Sequence, residues 1–365
     1  VQPQGPVTLP PSSHSPPSSL DHCSLRFSRR ANPAPMTHEA PIAKAKKLQP
    51  TNHSMKRRSP WHDYRRIGTY MITLVVEGRR PLLGVIKGDP EVPQGSPGSP
   101  CVELSQLGTA ILNDEIGKIN KCYPQVVVWK VSVMPDHIHM IVRVKEDLPK
   151  GKHLGTVITG FKFGCNQAYW NLNGMKGPSL KGLFERGYND KFLLHEGQYE
   201  NWKAYLEDNP RRLLLKRRNP HLFTVLDDME IAGRKCQIVG NRFLLDVPDK
   251  MAVIVHRRYT AEENASLREA WLACGERGGV LVSAAISPKE KEVLREAMNR
   301  GYRIILLREN GFSKFYKPSG ESFDACSKGL LLQISPWPYH MERKTITRAQ
   351  CLELNAMAEA IAGKA

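Results

Sequence analysis

A chain of 365 residues with 41% hydrophobic content is too long and too apolar for a small disulfide-stapled module or a wholly disordered segment. At about 150 residues per domain it provides for roughly two cores. Its 53 Lys and Arg against 36 Asp and Glu leave a net charge of +17, which favours a polyanionic partner, nucleic acid ahead of a membrane surface.

No run approaches the roughly 20 apolar residues of a membrane span, and no signal-peptide core opens the sequence. A cytoplasmic protein is expected. The eight cysteines form no CxxC pair and read as reduced thiols, mostly core filler. Residues 1–60 carry PPSSHSPPSS and the basic cluster Lys56, Arg57 and Arg58 without hydrophobic periodicity, the composition of a disordered tail. The chain opens on Val, so part of this stretch need not belong to the working protein. We assign it no function; a basic arm on DNA phosphates is the sharper alternative.

The pattern changes at residue 61. Runs rich in β-branched and aromatic residues predict strands over 70–76, 126–133 and 138–144. Residues 104–121 repeat Leu107, Ile111, Ile116 and Ile119 at near-helical spacing, after a loop, KGDPEVPQGSPGSP. Residues 154–170 predict a second helix, 191–194 a short strand, and 198–209 a third helix ended by Pro210. The order β-α-β-β-α-β-α over 61–223 is that of a ferredoxin-like palm, an antiparallel sheet with helices on one face.

Residues 211–230 read as a link to a second domain, 224–365 in outline. Three helix starts there pair an N-cap hydroxyl with Glu or Gln three residues on: Thr260 with Glu263, Ser287 with Glu290, Thr347 with Gln350. Strands predicted over 251–255, 280–283, 302–307 and 330–334 alternate with these helices, which implies a parallel, Rossmann-like α/β sheet. Gly278 and Gly279 suggest a nucleotide-handling turn, but G-x-G-x-x-G and a Walker lysine are both missing, so a scaffold without ligand fits as well.

Two segments carry chemistry. In MPDHIHMIV, His137 and His139 fall on the same face of a strand, where two neutral imidazoles can hold a divalent cation. Taken alone, an accidental pair on a half-exposed strand explains them equally well. In AYLEDNP, Tyr205 and Asn209 lie four residues apart, hence on one helical face. The amide oxygen can reach such a cation, and a phenolate there could attack a phosphorus atom. By itself, that segment reads first as a core tyrosine one turn before a helix-ending Asn.

Together with LFERGYNDKFLL, these motifs and the opening GTYMITLVVEGRRPLLG make residues 61–223 resemble the single-tyrosine HUH transposases, most closely the REP-associated tyrosine transposases. The resemblance implies Tyr205 as nucleophile, His137 and His139 as ligands of Mg2+ or Mn2+, and Asn209 as third ligand. It also implies single-stranded, hairpin-forming DNA as substrate, cut and rejoined through a 5′-phosphotyrosine link. Insertion-sequence relatives usually carry Gln where Asn209 stands, and many members have Asn where this chain has Asp136. The stretch NGFSKFYKPSGESFDACSKGLLLQISPW is faintly similar to the Rossmann-like domain of DNA-processing protein A.

Lys152, Lys162, Arg211, Arg212, Lys216, Arg217 and Arg218 are the candidate phosphate contacts, and Trp170 and Phe184 the candidate base-stacking rings. Tyr188 and Tyr199 are weaker rivals for the nucleophile. A domesticated hairpin-DNA-binding regulator without transposition activity is the first alternative function. A metal hydrolase using H-x-H in a barrel is the second. Monomer and homodimer both remain open.

Overall fold

The computed structural model describes residues 59, 62–177, 180–256, 258–342 and 344–363. The tail expected over 1–60 lies, apart from Ser59, outside the described residues.

In chain order the first half contains β1 (Gly68–Val75), β2 (Gly84–Lys87), β3 (Cys101–Leu104), α1 (Gln106–Ala110), a π-helical turn Ile111–Glu115, α2 (Ile116–Cys122), β4 (Val126–Met134), β5 (His137–Val144), α3 (Leu154–Leu172), β6 (Asn189–Phe192) and α4 (Gln198–Arg218). The long loop after residue 87 is flanked by a hairpin, β2 with β3, that the charged and Gly-rich sequence conceals. Strands β1, β4, β5 and β6 form an antiparallel sheet in the order β4-β5-β1-β6.

Because side chains alternate along a strand, the sheet has two distinct faces. Tyr70, Ile72 and Leu74 of β1, with Ile138, Met140 and Val142 of β5, bury against Ile111, Ile119, Val157 and Phe161 from the helices before and after. Met71 and Ile141 point the other way and are covered by Trp202 and Leu206 of α4. The expectation of helices on one face is therefore corrected. β5 is apolar on both sides at its centre, and Ile141, fully buried, requires a second cover.

The second half runs β7 (Leu226–Ile231), β8 (Arg234–Gly240), β9 (Lys250–Ala252), α5 (Ala261–Glu276), β10 (Val280–Ser283), α6 (Pro288–Asn299), β11 (Arg303–Leu307), α7 (Glu321–Ser327), β12 (Leu331–Ser335) and α8 (Arg348–Ile361). Strands β9 to β12 are parallel, and the hairpin β7-β8 extends them antiparallel through β12, giving the order β7-β8-β12-β11-β10-β9. All three capping boxes form, at Thr260, Ser287 and Thr347. Helices α5, α6 and α7 cover one face and α8 the other.

Two corrections concern the join. Pro210 does not end its helix: α4 continues to Arg218. The missing N–H costs one helical bond, but Arg212 and Leu215 beyond it are buried, and Leu215 packs with Leu222, Phe223 and Phe323 in the second core. Residues 211–230 are thus no open link; they hold the end of α4, the 3-10 turn Pro220–Phe223 and most of β7. Among the described residues no helix is long and apolar enough to cross a membrane.

Candidate active site

The period of β5 puts His137 and His139 on the face covered by α4, with their ring centroids 4.8 Å apart. Register places Thr73 opposite His139 and Val75 opposite His137. The two imidazoles are oriented through their inner nitrogens: Thr73 Oγ1 lies 2.8 Å from His139 Nδ1, and Asp136 Oδ1 lies 2.6 Å from His137 Nδ1. Each Nε2 is left for another partner, and no hydrogen bond among the described residues takes either. Hydrogen bonds of this kind to the inner nitrogen fix the ring orientation of histidines in metal sites.

Electrostatics keep His139 neutral. Burial first, then the neighbouring His137, Lys191 and Lys216, push its pKa down to about 3. Asp136 stays ionised: against the upward push of burial, hydrogen bonds and charge from His137 and Arg79 hold it at about 2. Arg79 Nη1 pairs with Asp136 Oδ2 at 3.2 Å.

Tyr205 comes from α4. Its ring centroid is 5.7 Å from that of His139, at an interplanar angle of 70°, and the residue is 36% exposed. Burial raises its phenol pKa, and the charge of Arg212 opposes that rise. One turn on, Asn209 is only 6% exposed and its buried Nδ2 has no hydrogen-bond partner. The N and O of a carboxamide exchange places by a half-turn of the side chain, so this orphaned position suits an oxygen ligand equally well. Two imidazoles and a carboxamide have the donor chemistry of a partial ligand set for a divalent cation. Among the described residues no group of three His, Cys, Asp or Glu side chains offers an alternative metal site.

Since α4 runs through Pro210, Tyr205, Asn209, Arg212 and Lys216 recur at i, i+4, i+7 and i+11, one stripe of the helix. The Arg212 guanidinium lies 5.5 Å from the centroid of the Tyr205 ring. Lys216 is depressed to about 8, by burial first and then by Arg212 and Lys317.

The sequence-derived cations divide into two groups. Lys162 donates to the carbonyls of Glu185 and Gly187, at 2.6 and 3.1 Å. Arg211 pairs with Asp208 and Asp324, Arg212 is 8% exposed, and Arg218 pairs with Asp89 at 3.4 Å and Glu91 at 3.9 Å. These four are engaged within the chain. Lys152 and Arg217 are exposed, and Lys216 is half-buried, its charge being one of those that lower the pKa of His139.

Phe184 belongs to the first core, and Trp170 Nε1 donates to the Lys181 carbonyl at 2.9 Å. Tyr199 faces Trp129, ring centroids 5.3 Å apart, and Tyr188 lines a cleft with Thr73 and Glu185. The sequence does not mark Thr73 against His139, the charge of Lys191 acting on His139, or Asp136 as the orienting partner of His137. The register that sets Thr73 against His139 has no local signature. The stripe ending at Lys216 does have one, hidden only by the assumption that Pro210 terminates the helix.

No family model matches the chain. An uncharacterised protein of Haemophilus influenzae is 22% identical over 178 residues, 44% of this chain and 89% of that one. A REP-associated tyrosine transposase bound to a REP hairpin is similar at 18% identity and a TM-score of 0.28, over 42% of this chain and 73% of that one. DNA processing protein A of Helicobacter pylori, solved for its single-stranded DNA binding, is similar at 20% identity and a TM-score of 0.28, over 38% and 65%. Likenesses at this level decide nothing about chemistry.

Proposed function

We propose that the chain is a metal-dependent enzyme that cleaves and rejoins single-stranded DNA, built on a ferredoxin-like palm with an appended Rossmann-like domain. Hairpin-forming repeats are its expected substrate, through the motif resemblance. The observation that carries this reading is the meeting of Tyr205 with the oriented His137-His139 pair across α4 and β5.

His137, His139 and Asn209 would hold the cation. When bound, it supplies polarisation of a non-bridging phosphate oxygen. The Tyr205 oxygen attacks phosphorus, the bond from phosphorus to the 3′ oxygen breaks, and the released 3′-hydroxyl takes up a proton while the phenol gives one up. The product is a 5′-phosphotyrosine link, and a second strand's 3′-hydroxyl reverses the step at a new junction. No nucleotide cofactor is needed, because the phosphotyrosine bond conserves the energy of the phosphodiester. Lys191 and Lys216, whose charges act on His139, would provide positive charge for the scissile phosphate.

The test is incubation of the full chain with assorted single-stranded hairpins in Mg2+ or Mn2+, followed by mass spectrometry of the peptide spanning 198–210. A covalent DNA adduct on Tyr205, lost in Tyr205→Phe, is expected. Hairpin binding without any adduct would replace the enzyme by a DNA-binding regulator.

A further inference from the structure

The C-terminal half grips the far end of the helix that carries Tyr205. Arg211 Nη2 reaches Asp324 of α7 at 2.5 Å while its Nε holds Asp208 at 2.6 Å. Arg212 lies with its guanidinium carbon 3.5 Å from the centroid of the Phe323 ring, also on α7, and donates to the Pro318 carbonyl at 3.1 Å. Just past α4, Phe223 stacks on Phe323 at 4.8 Å, and Cys326 Sγ donates to the Leu222 carbonyl at 3.0 Å.

The need for this grip follows from Pro210. Without an N–H at residue 210, the bond to the Leu206 carbonyl is missing, so α4 is weakest between the half bearing Tyr205 and Asn209 and the half anchored on α7. Arg212 spans the weak point by side chain, touching Tyr205 on one side of it and Phe323 on the other. A planar cation buried against two rings is worth more than an exposed one and has few alternative placements.

We infer that the C-terminal α/β layer is part of the active site: Arg212, bridging the Tyr205 and Phe323 rings, is the positioning residue through which α7 fixes the nucleophile. This rests on the proposed function for its kinetic consequence but not for its structural one. Arg212 acts through Tyr205 and takes no part in the bond changes.

The experiment uses the full chain and the variants Arg212→Lys, Phe323→Leu and Asp324→Asn. Hydrogen exchange of the amides over 199–209 and the single-turnover rate of adduct formation are followed together. Arg212→Lys keeps the charge but not the plane. It should accelerate exchange over 199–209 while leaving β1 and β5 protected, and slow the adduct about tenfold at unchanged half-saturation by DNA. Phe323→Leu should do the same, and Asp324→Asn should shift exchange in the same direction by less. If Phe323→Leu fails to fold, Arg212→Lys decides alone.

Should the wild type form no adduct, the enzyme reading falls and exchange still judges the coupling. Unchanged exchange over 199–209 in folded Arg212→Lys would overturn the inference. So would loosening spread evenly over the whole chain, or weaker DNA half-saturation at an unchanged rate, which would make Arg212 a DNA contact.

Discussion

At the scale of single residues, the site depends on side chains that fix others. Thr73 anchors His139 and Asp136 anchors His137, each through Nδ1, so that only the Nε2 nitrogens could serve the proposed cation. Thr73→Val keeps the shape and removes the hydroxyl. On the proposed reading it should weaken Mn2+ binding roughly 10- to 100-fold, measured by titration calorimetry, with the fold intact. Lys216 gives a pH signature. Its pKa, lowered to about 8 by burial and by Arg212 and Lys317, with Asp136 opposing, means the proton is lost earlier than from an ordinary lysine. The charged form attracts phosphate, so hairpin affinity should fall as pH rises through about 8. Lys216→Arg should keep it to higher pH in fluorescence anisotropy.

At the scale of elements, α4 is the informative one. Its first half packs on the antiparallel sheet through Trp202 and Leu206, its second enters the parallel-sheet core through Leu215, and Pro210 lies between. Restoring the lost hydrogen bond with Pro210→Ala should stabilise the fold by about 1–2 kcal/mol in denaturant titration, the gain being reduced by the freer unfolded chain. β5 shows the complementary case: its alternation was readable, and it put the two histidines on one face without help from the rest of the fold. The capping boxes were equally local, each hydroxyl and each Glu or Gln acting within one turn. The hairpin β7-β8 escaped notice because LDDMEI is too polar to announce a strand; its pairing with β12, through β8, makes it one.

At the scale of the whole molecule, two cores share one helix: Trp202 and Leu206 of α4 pack in the first, and Leu215 packs with the Phe223-Phe323 stack in the second. Residues 62–363 should therefore unfold in one calorimetric transition. Two well-separated transitions would contradict this coupling. A chain cut after residue 223 would expose Leu215, Leu222 and Phe223 and should be less stable than the whole. The net charge of +17 belongs to this scale as well. Hairpin binding should weaken steeply with salt, and Lys152→Ala or Arg217→Ala should each flatten the log-log slope by about 0.7, whereas Arg218→Ala, already paired within the chain, should not.

Sequence alone determined what depends on near neighbours: the two imidazoles on one side of a strand, the phenol and carboxamide one helical turn apart, the capped helix starts, and the excess of positive charge. Period and capping act over a few residues, so composition and spacing suffice to read them. Only the tertiary structure decided that Tyr205 meets His139, that Thr73 orients it, that most of the arginines after Asn209 are spent on internal partners, and that α7 reaches back to the helix that carries Tyr205. These are pairings between residues distant in the chain, set by strand register and by which apolar surface finds a cover, and no local pattern encodes them.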